Sequence, residues 1–226
     1  MNIKDEATYY LKRVLKREIL EVRRRSYEFG KHRCIFIHIP KTGGVSVAKS
    51  MIGKIAGHWT VLDYKNIFGK EDFNNYFKFS FVRNPFTRLI SAYEFLQNGG
   101  YGASDEKIVS IVRSYTGWEH FIMEYLTPAT AKANRHFKPQ HYFICDSNDN
   151  LLVDYLGRFE ELEADYEYVR KKIGIGEPLK KLNLTKSKKL TLQEYYANNE
   201  TIQKVISVYN KDFELFKYST EISSIV

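Results

Sequence analysis

Two short runs of the sequence combine glycine, basic and hydroxyl side chains in a way that suits an anionic ligand. The first run, residues 40–46 (PKTGGVS), stands between an apolar strand pattern and a helical pattern. Its glycines let the backbone approach a ligand closely, the first amides of the following helix are unpaired donors, and Lys41 adds a full positive charge. Taken alone, the same run also suits a tight turn with a solvated lysine.

The second run places an arginine and a serine where they can share another anion. Arg83 ends a strand pattern, and Ser91 lies eight residues later in the next predicted helix. The guanidinium of Arg83 can donate two parallel hydrogen bonds to a phosphate while the hydroxyl of Ser91 donates another. For Arg88, pairing on the helix surface is the simple interpretation and phosphate contact the alternative. Because adjacent strand ends meet at one edge of a parallel sheet, the two runs predict a ligand with two anionic groups.

The elements that position these runs alternate between strands and helices. Apolar or alternating patterns predict strands at residues 34–39, 77–82, 142–145 and 151–159. Helical spacing, with Pro85 suited to a first turn, predicts helices at residues 45–55, 85–96, 160–173, 191–197 and 200–216. Repeated strand–loop–helix order predicts an α/β fold with a central parallel sheet flanked by helices on both faces.

Composition indicates a globular chain, and its positive charge favours an anionic partner, for which nucleic acid, acidic lipid, a nucleotide cofactor and an anionic polysaccharide all fit. Of the 226 residues 43% are hydrophobic, and 35 Lys plus Arg against 27 Asp plus Glu give a net charge of +8. The length suits a single domain over residues 1–226. No apolar run is long enough for a membrane helix, and the start resembles no signal peptide, so we expect a soluble cytoplasmic protein. Two cysteines are too few for a disulfide framework or a zinc site.

The N-terminal segment, residues 1–30, carries a separate pattern. Between residues 7 and 28 apolar side chains recur near one helical face, and basic side chains occupy the rest. We therefore predict a basic amphipathic helix. A solvated charged face on a packed helix is the simple interpretation, and contact with the surface of an anionic membrane is the alternative.

Longer stretches around the two runs resemble a known family. Residues 38–47 (HIPKTGGVSV) resemble the 5′-phosphosulfate loop of sulfotransferases that use 3′-phosphoadenosine 5′-phosphosulfate (PAPS). Residues 79–95 (FSFVRNPFTRLISAYEF) resemble their 3′-phosphate-binding strand and helix. The combination is similar to the carbohydrate sulfotransferase branch that includes the chondroitin 4-O- and heparan sulfate 2-O-enzymes. Similar segments continue at 157–162, 182–187 and 209–218.

This resemblance implies a P-loop-like core, PAPS as co-substrate, adenosine 3′,5′-bisphosphate (PAP) as product, and no required metal. It implies that Lys41 contacts the bridging oxygen and offsets charge on the leaving nucleotide. Arg83 and Ser91 match the pair on the 3′-phosphate, and Lys186 and Ser187 fall where related enzymes close a basic loop over the co-substrate. The other residues that the resemblance places at the nucleotide are Pro40, Thr42, Gly43, Gly44, Val45 and Ser46.

Sulfuryl transfer also needs a base for the acceptor hydroxyl, and histidine titrates near neutral pH. His136 stands in a histidine-aromatic-x-proline segment similar to that of the chondroitin-type enzymes and is the first choice. His58, which follows the first helix, is the second. His141 or a carboxylate is a further option, whereas His38 is expected to be a buried core residue.

The leading hypothesis is a bacterial, cytoplasmic sulfotransferase that acts on a carbohydrate hydroxyl of a surface polysaccharide, lipopolysaccharide or lipid-linked glycan. It would have no nucleic-acid partner, and it could contact the inner face of an anionic membrane. A P-loop nucleotide kinase is one alternative, although the G-x-x-x-x-G-K-[ST] motif is absent. The other is a non-catalytic protein on the same fold that binds polyanions in a salt-sensitive way.

Overall fold

A parallel sheet lies at the centre of the computed structural model, which describes residues 27–180 and 190–225. Its strands in this part of the chain are β1 (Cys34–Ile37), β2 (Phe77–Val82) and β3 (Tyr155–Arg158), in the spatial order β1-β2-β3. Both pairings are parallel, with Cys34 opposite Phe77 and Phe79 opposite Tyr155. The carboxyl ends of all three strands therefore lie at one edge.

The strands are apolar because both of their faces are covered. Every residue of β1 and five of the six residues of β2 are buried, which is typical of a parallel sheet between two helical layers. Ser80 is a polar exception in β2, and its hydroxyl donates to the carbonyl of Ile37 at 2.6 Å. Lys78 is another, and its ammonium donates to the carbonyl of Tyr76 at 2.7 Å.

Helices pack on both faces of the sheet. Their bounds are α1 (Gly44–Ile52), α2 (Val61–Asn75), α3 (Pro85–Gln97), α4 (Glu106–Arg113), α5 (Pro128–Ala133), α6 (His141–Ile144), α7 (Leu162–Ile173), α8 (Leu192–Tyr195) and α9 (Asn199–Phe216), with a short helical stretch at Trp118–His120 and Phe121–Tyr125 between α4 and α5. Ile35 and Ile37 pack with α2 and α6, whereas Phe36 between them packs with α1 and α7. This α/β architecture confirms the predicted fold class.

A further apolar cluster joins the remaining helices beside the sheet. Side chains of α3, α4 and α9 and of the 118–126 stretch form it, with Phe86, Phe121 and Tyr209 among its buried aromatic members. Helix α3 begins as predicted, with Pro85 in its first turn and the Asn84 side chain accepting from the Phe86 amide. The cluster anchors α3 behind the end of β2.

One predicted strand is wrong. Residues 142–145 were expected to be extended, but His141–Ile144 form the short helix α6. The carboxylate of Asp212, which belongs to α9, accepts from the amides of Gln140 and His141 and so caps this turn. Only Cys145 pairs, in an isolated antiparallel bridge with Leu151. A contact distant in sequence therefore overrides the local strand pattern.

The other boundaries differ by a few residues. The strand predicted at 151–159 is shorter, because β3 begins at Tyr155 and a 3₁₀ turn starts at Phe159. Helix α7 ends before Gly174, whose φ of 77° terminates it as expected. Most of the helix predicted within residues 1–30 lies outside the described residues, so that helix and the single-domain boundary stay predictions. No described helix is long and apolar enough to cross a membrane.

Candidate functional site

The loop of residues 40–46 makes a tight connection between β1 and α1 at the carboxyl edge of the sheet. Gly43 has a φ of 80°, and Lys41 adopts a φ of 71°, a conformation that side-chain-bearing residues rarely take. A Cβ atom on Gly44 would lie 2.0 Å from the ring of His38, so a larger residue does not fit there. The buried Thr42 hydroxyl donates to the carbonyl of Ile39 at 2.9 Å and closes the turn from inside.

This loop leads into a helix whose first turn favours an anion. Helix α1 has no acidic residue in that turn and no side-chain cap on its first amides. Its amides therefore point toward the carboxyl edge with the positive end of the helix dipole. Of the other predicted loop residues, Ser46 is buried and Val45 is half-buried.

The ammonium group of Lys41 lies against an aromatic face. Its Nζ is 4.1 Å from the centre of the Phe95 ring on α3. Burial lowers the pKa of Lys41 to about 8, and the positive charges of Arg83 and Arg88 act in the same direction, while Asp105 opposes them. An arriving anion would favour the charged lysine and raise this pKa.

Arg83 reaches from the end of β2 to the first loop. Its Nη1 donates to the carbonyl of Lys41 at 3.3 Å, its Nε donates to Thr87 Oγ1 at 3.0 Å, and its guanidinium lies 4.0 Å from the centre of the Phe159 ring. Burial lowers the pKa of Arg83 to about 10. The two basic runs are thus in direct contact. Ser91 is half-buried on α3, about one helical turn before Phe95.

The backbone of Arg83 is held by a side chain instead of by another strand. Its amide donates to Gln140 Oε1 at 2.9 Å, and Gln140 Nε2 donates back to its carbonyl at 2.8 Å. Gln140 is fully buried, and its own amide donates to Asp212 at 2.6 Å. Asp212 of helix α9 therefore holds Gln140 at the start of α6, and Gln140 in turn holds the backbone of Arg83.

The next residue along the chain is held in a similar way from the other side. The amide of Asn84 donates to Glu160 Oε1 at 2.8 Å, and the hydroxyl of Tyr218 donates to Glu160 Oε2 at 2.9 Å. Both supports of the β2 tip thus lead to the segment 209–218, which the sequence predicts as mostly helical and which resembles the family, but whose contacts with β2 no local pattern predicts.

Arg88 is buried and does not pair on the helix surface as the simple interpretation expected. Its side chain is 2% exposed, Nε donates to the carbonyl of Pro40 at 2.9 Å, and Nη2 donates to the carbonyl of Lys138 at 3.0 Å. Burial lowers its pKa. A guanidinium matches several separate carbonyl groups at once, so Arg88 ties the first loop to the segment that carries His136.

His136 lies beside a buried carboxylate. Its Nε2 is 3.0 Å from Asp105 Oδ1, and its ring packs on Phe95 with centroids 5.4 Å apart. Burial lowers the pKa of His136, and the hydrogen bond and charge of Asp105 partly offset this effect. Its Nδ1 is enclosed and has no hydrogen-bond partner among the described residues.

The other candidate histidines have different surroundings. His58 Nδ1 is 3.0 Å from the carbonyl of His38, the two rings are 4.2 Å apart, and burial followed by the neighbouring His38 lowers the pKa of His58 to about 2. His38 is a buried core residue, as expected, with Nδ1 3.1 Å from the carbonyl of Ala56. His141 Nδ1 contacts Asp212 at 2.7 Å and so belongs to the support of Gln140.

Most of the predicted site residues gather at this edge, and the structure adds others. Lys186 and Ser187 lie outside the described residues, so their placement stays a prediction. The residues that sequence reasoning missed are Phe95, Asp105, Gln140 and Glu160. Phe95 had a usable signal, since its spacing of four from Ser91 puts both on one face of α3. Across residues 27–180 and 190–225, no group of three or more His, Cys, Asp or Glu side chains could hold a metal ion.

Comparison with known proteins identifies the family. The model of the sulfotransferase family (Sulfotransfer_2) matches residues 27–219, and the chain belongs to this family. The resemblance inferred from the two runs is thereby confirmed. No solved structure gives a significant match.

Several carbohydrate sulfotransferases are similar in sequence. Carbohydrate sulfotransferase 11 of Rattus norvegicus is 30% identical over 169 residues, which cover 64% of this chain and 47% of that protein. Carbohydrate sulfotransferase 14 of Danio rerio is 24% identical over 226 residues, which cover 83% of this chain and 60% of that protein. Carbohydrate sulfotransferase 10 of Xenopus laevis is 24% identical over 250 residues, which cover 86% of this chain and 67% of that protein. The chain spans about half the length of the first of these relatives.

The role of Gln140 can be tested through stability. Gln140→Met keeps a similar length but leaves the amide and carbonyl of Arg83 unpaired in a buried place. Because each unsatisfied buried group costs ~1–3 kcal/mol, we expect the free energy of unfolding in urea to fall by several kcal/mol. Gln193→Met, at an exposed glutamine of α8, should change it by no more than about 0.5 kcal/mol. Equal stability of the two variants would contradict the support of Arg83 by Gln140.

Proposed function

We propose that this chain transfers the sulfuryl group of PAPS to a hydroxyl of a carbohydrate acceptor. The observation that carries the proposal is the contact between Arg83 and the Lys41 carbonyl, because it puts the two basic runs side by side at the carboxyl edge. Membership of the sulfotransferase family supports sulfuryl transfer. The similar proteins are named carbohydrate sulfotransferases, which supports a carbohydrate acceptor.

The charges at this edge suit a ligand with two anionic ends. None of Lys41, Arg83 and Arg88 forms an ion pair with a described residue, since carbonyl groups, a hydroxyl and aromatic faces surround them instead. Their lowered pKa values reflect desolvation without a compensating carboxylate in contact. The phosphosulfate of PAPS would fit against the loop of residues 40–46 and the amides of α1, and its 3′-phosphate against Arg83 and Ser91.

Transfer at this site needs positioning and charge stabilisation more than covalent chemistry. The acceptor oxygen forms a bond to sulfur while the bond from sulfur to the bridging phosphate oxygen breaks, and PAP leaves with that oxygen. Lys41 would stabilise the charge that develops on the leaving phosphate. Its enclosed position strengthens this interaction, because fewer water molecules screen it.

We assign the base to His136 in preference to His58. Both rings are desolvated, but His136 has a carboxylate partner that supports the positive charge it would acquire. His58 faces a carbonyl and a second histidine ring, and no described carboxylate contacts it to support a positive charge on its ring. The proton of the acceptor hydroxyl would therefore go to His136. Such a base contributes roughly 10²–10⁴-fold to a rate.

The acceptor is proposed to be a surface polysaccharide, a lipopolysaccharide or a lipid-linked glycan. Its sulfation would take place in the cytoplasm, where the basic segment of residues 1–30 could contact an anionic membrane. These two assignments stay predictions from the sequence, since the contacts of that segment lie outside the described residues.

Two substitutions should separate nucleotide binding from turnover. Arg83→Ala should weaken binding of PAP by roughly 10- to 100-fold, since a hydrogen bond to a charged group contributes ~1.5–3 kcal/mol. Lys41→Ala should lower kcat by ~10²–10³ while changing PAP affinity much less, because its charge acts on the leaving group. Calorimetry with PAP measures the first effect. Transfer from labelled PAPS to a glycan panel, with mass spectrometry for one added sulfuryl group, measures the second.

Lys49→Ala, at an exposed lysine of α1, should leave both quantities unchanged. Adenosine 5′-phosphate lacks the 3′-phosphate, so its affinity should not respond to Arg83→Ala. Equal PAP affinity in wild type and Arg83→Ala would contradict the site. Mg²⁺-dependent turnover of ATP without transfer from PAPS would favour the kinase, and heparin binding without any turnover would favour a polyanion-binding protein.

The pH dependence should report the lysine. The charged form of Lys41 is the active form, and its pKa in the free enzyme is about 8. We therefore expect kcat/KM for PAPS to fall as the pH rises through about 8, whereas kcat falls only at higher pH because the bound anion raises the lysine pKa. Lys41→Arg keeps its charge and should lose this alkaline decline. A flat wild-type profile through that pH range would refute the assigned role of Lys41.

A further inference from the structure

The carboxylate of Asp105 joins three parts of the site, namely the ring of His136, the guanidinium of Arg135 and the backbone of Tyr101. Oδ1 lies 3.0 Å from His136 Nε2 and accepts from Arg135 Nη2 at 2.6 Å, and Oδ2 accepts from the amide of Tyr101 at 2.9 Å. The side chain is 2% exposed. Buried carboxylates with this many donors are held in the ionised form.

The ionised carboxylate determines which nitrogen of His136 carries hydrogen. Burial raises the pKa of Asp105, but the hydrogen bonds from His136 and the Tyr101 amide, together with Arg135, outweigh burial and keep it below the usual value. An ionised carboxylate only accepts hydrogen bonds, so Nε2 must donate and the neutral ring keeps its lone pair on Nδ1. Nδ1 is the atom that is enclosed without a partner.

One contact, between Arg135 and His136, favours the other tautomer. Arg135 Nε lies 3.3 Å from His136 Nε2, and it could donate there only if that nitrogen had a lone pair. In that case the lone pair would face the oxygen of Asp105 at 3.0 Å, and two acceptors at that distance repel each other. The contact of Nε2 with the charged carboxylate of Asp105 is shorter than its contact with Arg135, so the tautomer with hydrogen on Nε2 is favoured.

We propose that Asp105 is a positioning residue that holds the ring of His136 in the tautomer whose Nδ1 takes the proton of the acceptor hydroxyl. This inference rests on the proposed sulfuryl transfer. As the bond from the acceptor oxygen to sulfur forms, its O–H bond breaks and the proton moves to Nδ1. The resulting imidazolium is stabilised through Nε2 by Asp105, and it later releases its proton to water. Because Nδ1 is enclosed in this structure, the hydroxyl would reach it only if side chains around the ring move apart when substrates bind, and it would then supply the hydrogen-bond partner that Nδ1 lacks.

Asp105 also fixes the loop that follows α3. A Cβ atom on Gly100 would lie 2.8 Å from the Asp105 side chain, so the loop passes directly over the carboxylate. The ring of Tyr101 packs on Phe95 at 4.9 Å, and Phe95 is the residue that both Lys41 and His136 contact. One carboxylate thus aligns the base and holds the loop beside the lysine.

The first test measures the tautomer in the full wild-type chain. Long-range ¹H–¹⁵N NMR distinguishes the two ring nitrogens, and the signals of His136 are those lost in His136→Gln. We expect hydrogen on Nε2 and a lone pair on Nδ1 near neutral pH. Hydrogen on Nδ1 in the wild-type protein would overturn the proposal, and this result needs no Asp105 variant to fold.

The second test uses Asp105→Asn, which keeps the shape but removes the charge. We expect kcat to fall by roughly 10²-fold, at the lower end of the contribution of a general base, while PAP affinity changes less than about twofold. Asp105 raises the pKa of His136, whereas burial and the positive charges of Arg135 and Lys41 lower it. The nearby His58 is neutral and so adds no charge of its own. The variant should therefore move the acidic decline of kcat/KM to lower pH and convert part of His136 to the Nδ1–H tautomer.

Glu106→Gln is the matched control, since it makes the same chemical change at the next residue, which is exposed. It should alter neither the pH profile nor the tautomer. If wild type transfers sulfuryl groups and Asp105→Asn keeps its kcat and its pH profile, the positioning role is wrong while the proposed function stands. If wild type transfers nothing from PAPS to any acceptor in the panel, the proposed function itself fails.

Discussion

Positive charge that is partly or fully withdrawn from water at the carboxyl edge of the sheet is the constraint on which the site depends. The side chains of Lys41, Arg83 and Arg88 share this edge, and burial lowers the pKa of each. Carbonyl oxygens and aromatic rings can orient such cations without neutralising them. An ion pair would instead cancel the charge that a ligand needs to meet. The protein thus accepts an electrostatic penalty that an anion, once bound, would remove.

Holding these cations in place requires a rigid backbone, and much of that rigidity comes from the last helix. Asp212 caps α6 and thereby fixes Gln140, which pairs both backbone groups of Arg83. Tyr218 reaches the same strand end through Glu160. Arg88 adds the link between the first loop and the segment at 136–138. The side chains of Gln140 and Glu160 thus form the backbone hydrogen bonds at the end of β2 that a neighbouring strand would otherwise form.

The two halves of the site use different physical means. On the side of the basic runs, backbone amides, carbonyls and glycines set the geometry, and Gly44 must lack a side chain because His38 lies against it. On the side of His136, one buried carboxylate collects donors from a ring, a guanidinium and a loop amide. Phe95 lies between the halves and contacts both Lys41 and His136.

The sequence alone determined the strand–loop–helix units and the two basic runs, because apolar runs, glycine turns and a proline at a helix start act between near neighbours. Tertiary structure decided the helix at His141–Ile144, the burial of Arg88 and the partners of Arg83 and His136. Asp105 and His136 are 31 positions apart, and Asn84 and Glu160 are 76 apart. No local pattern encodes such pairs, since they form only when packing brings the segments together and excludes water from the groups between them.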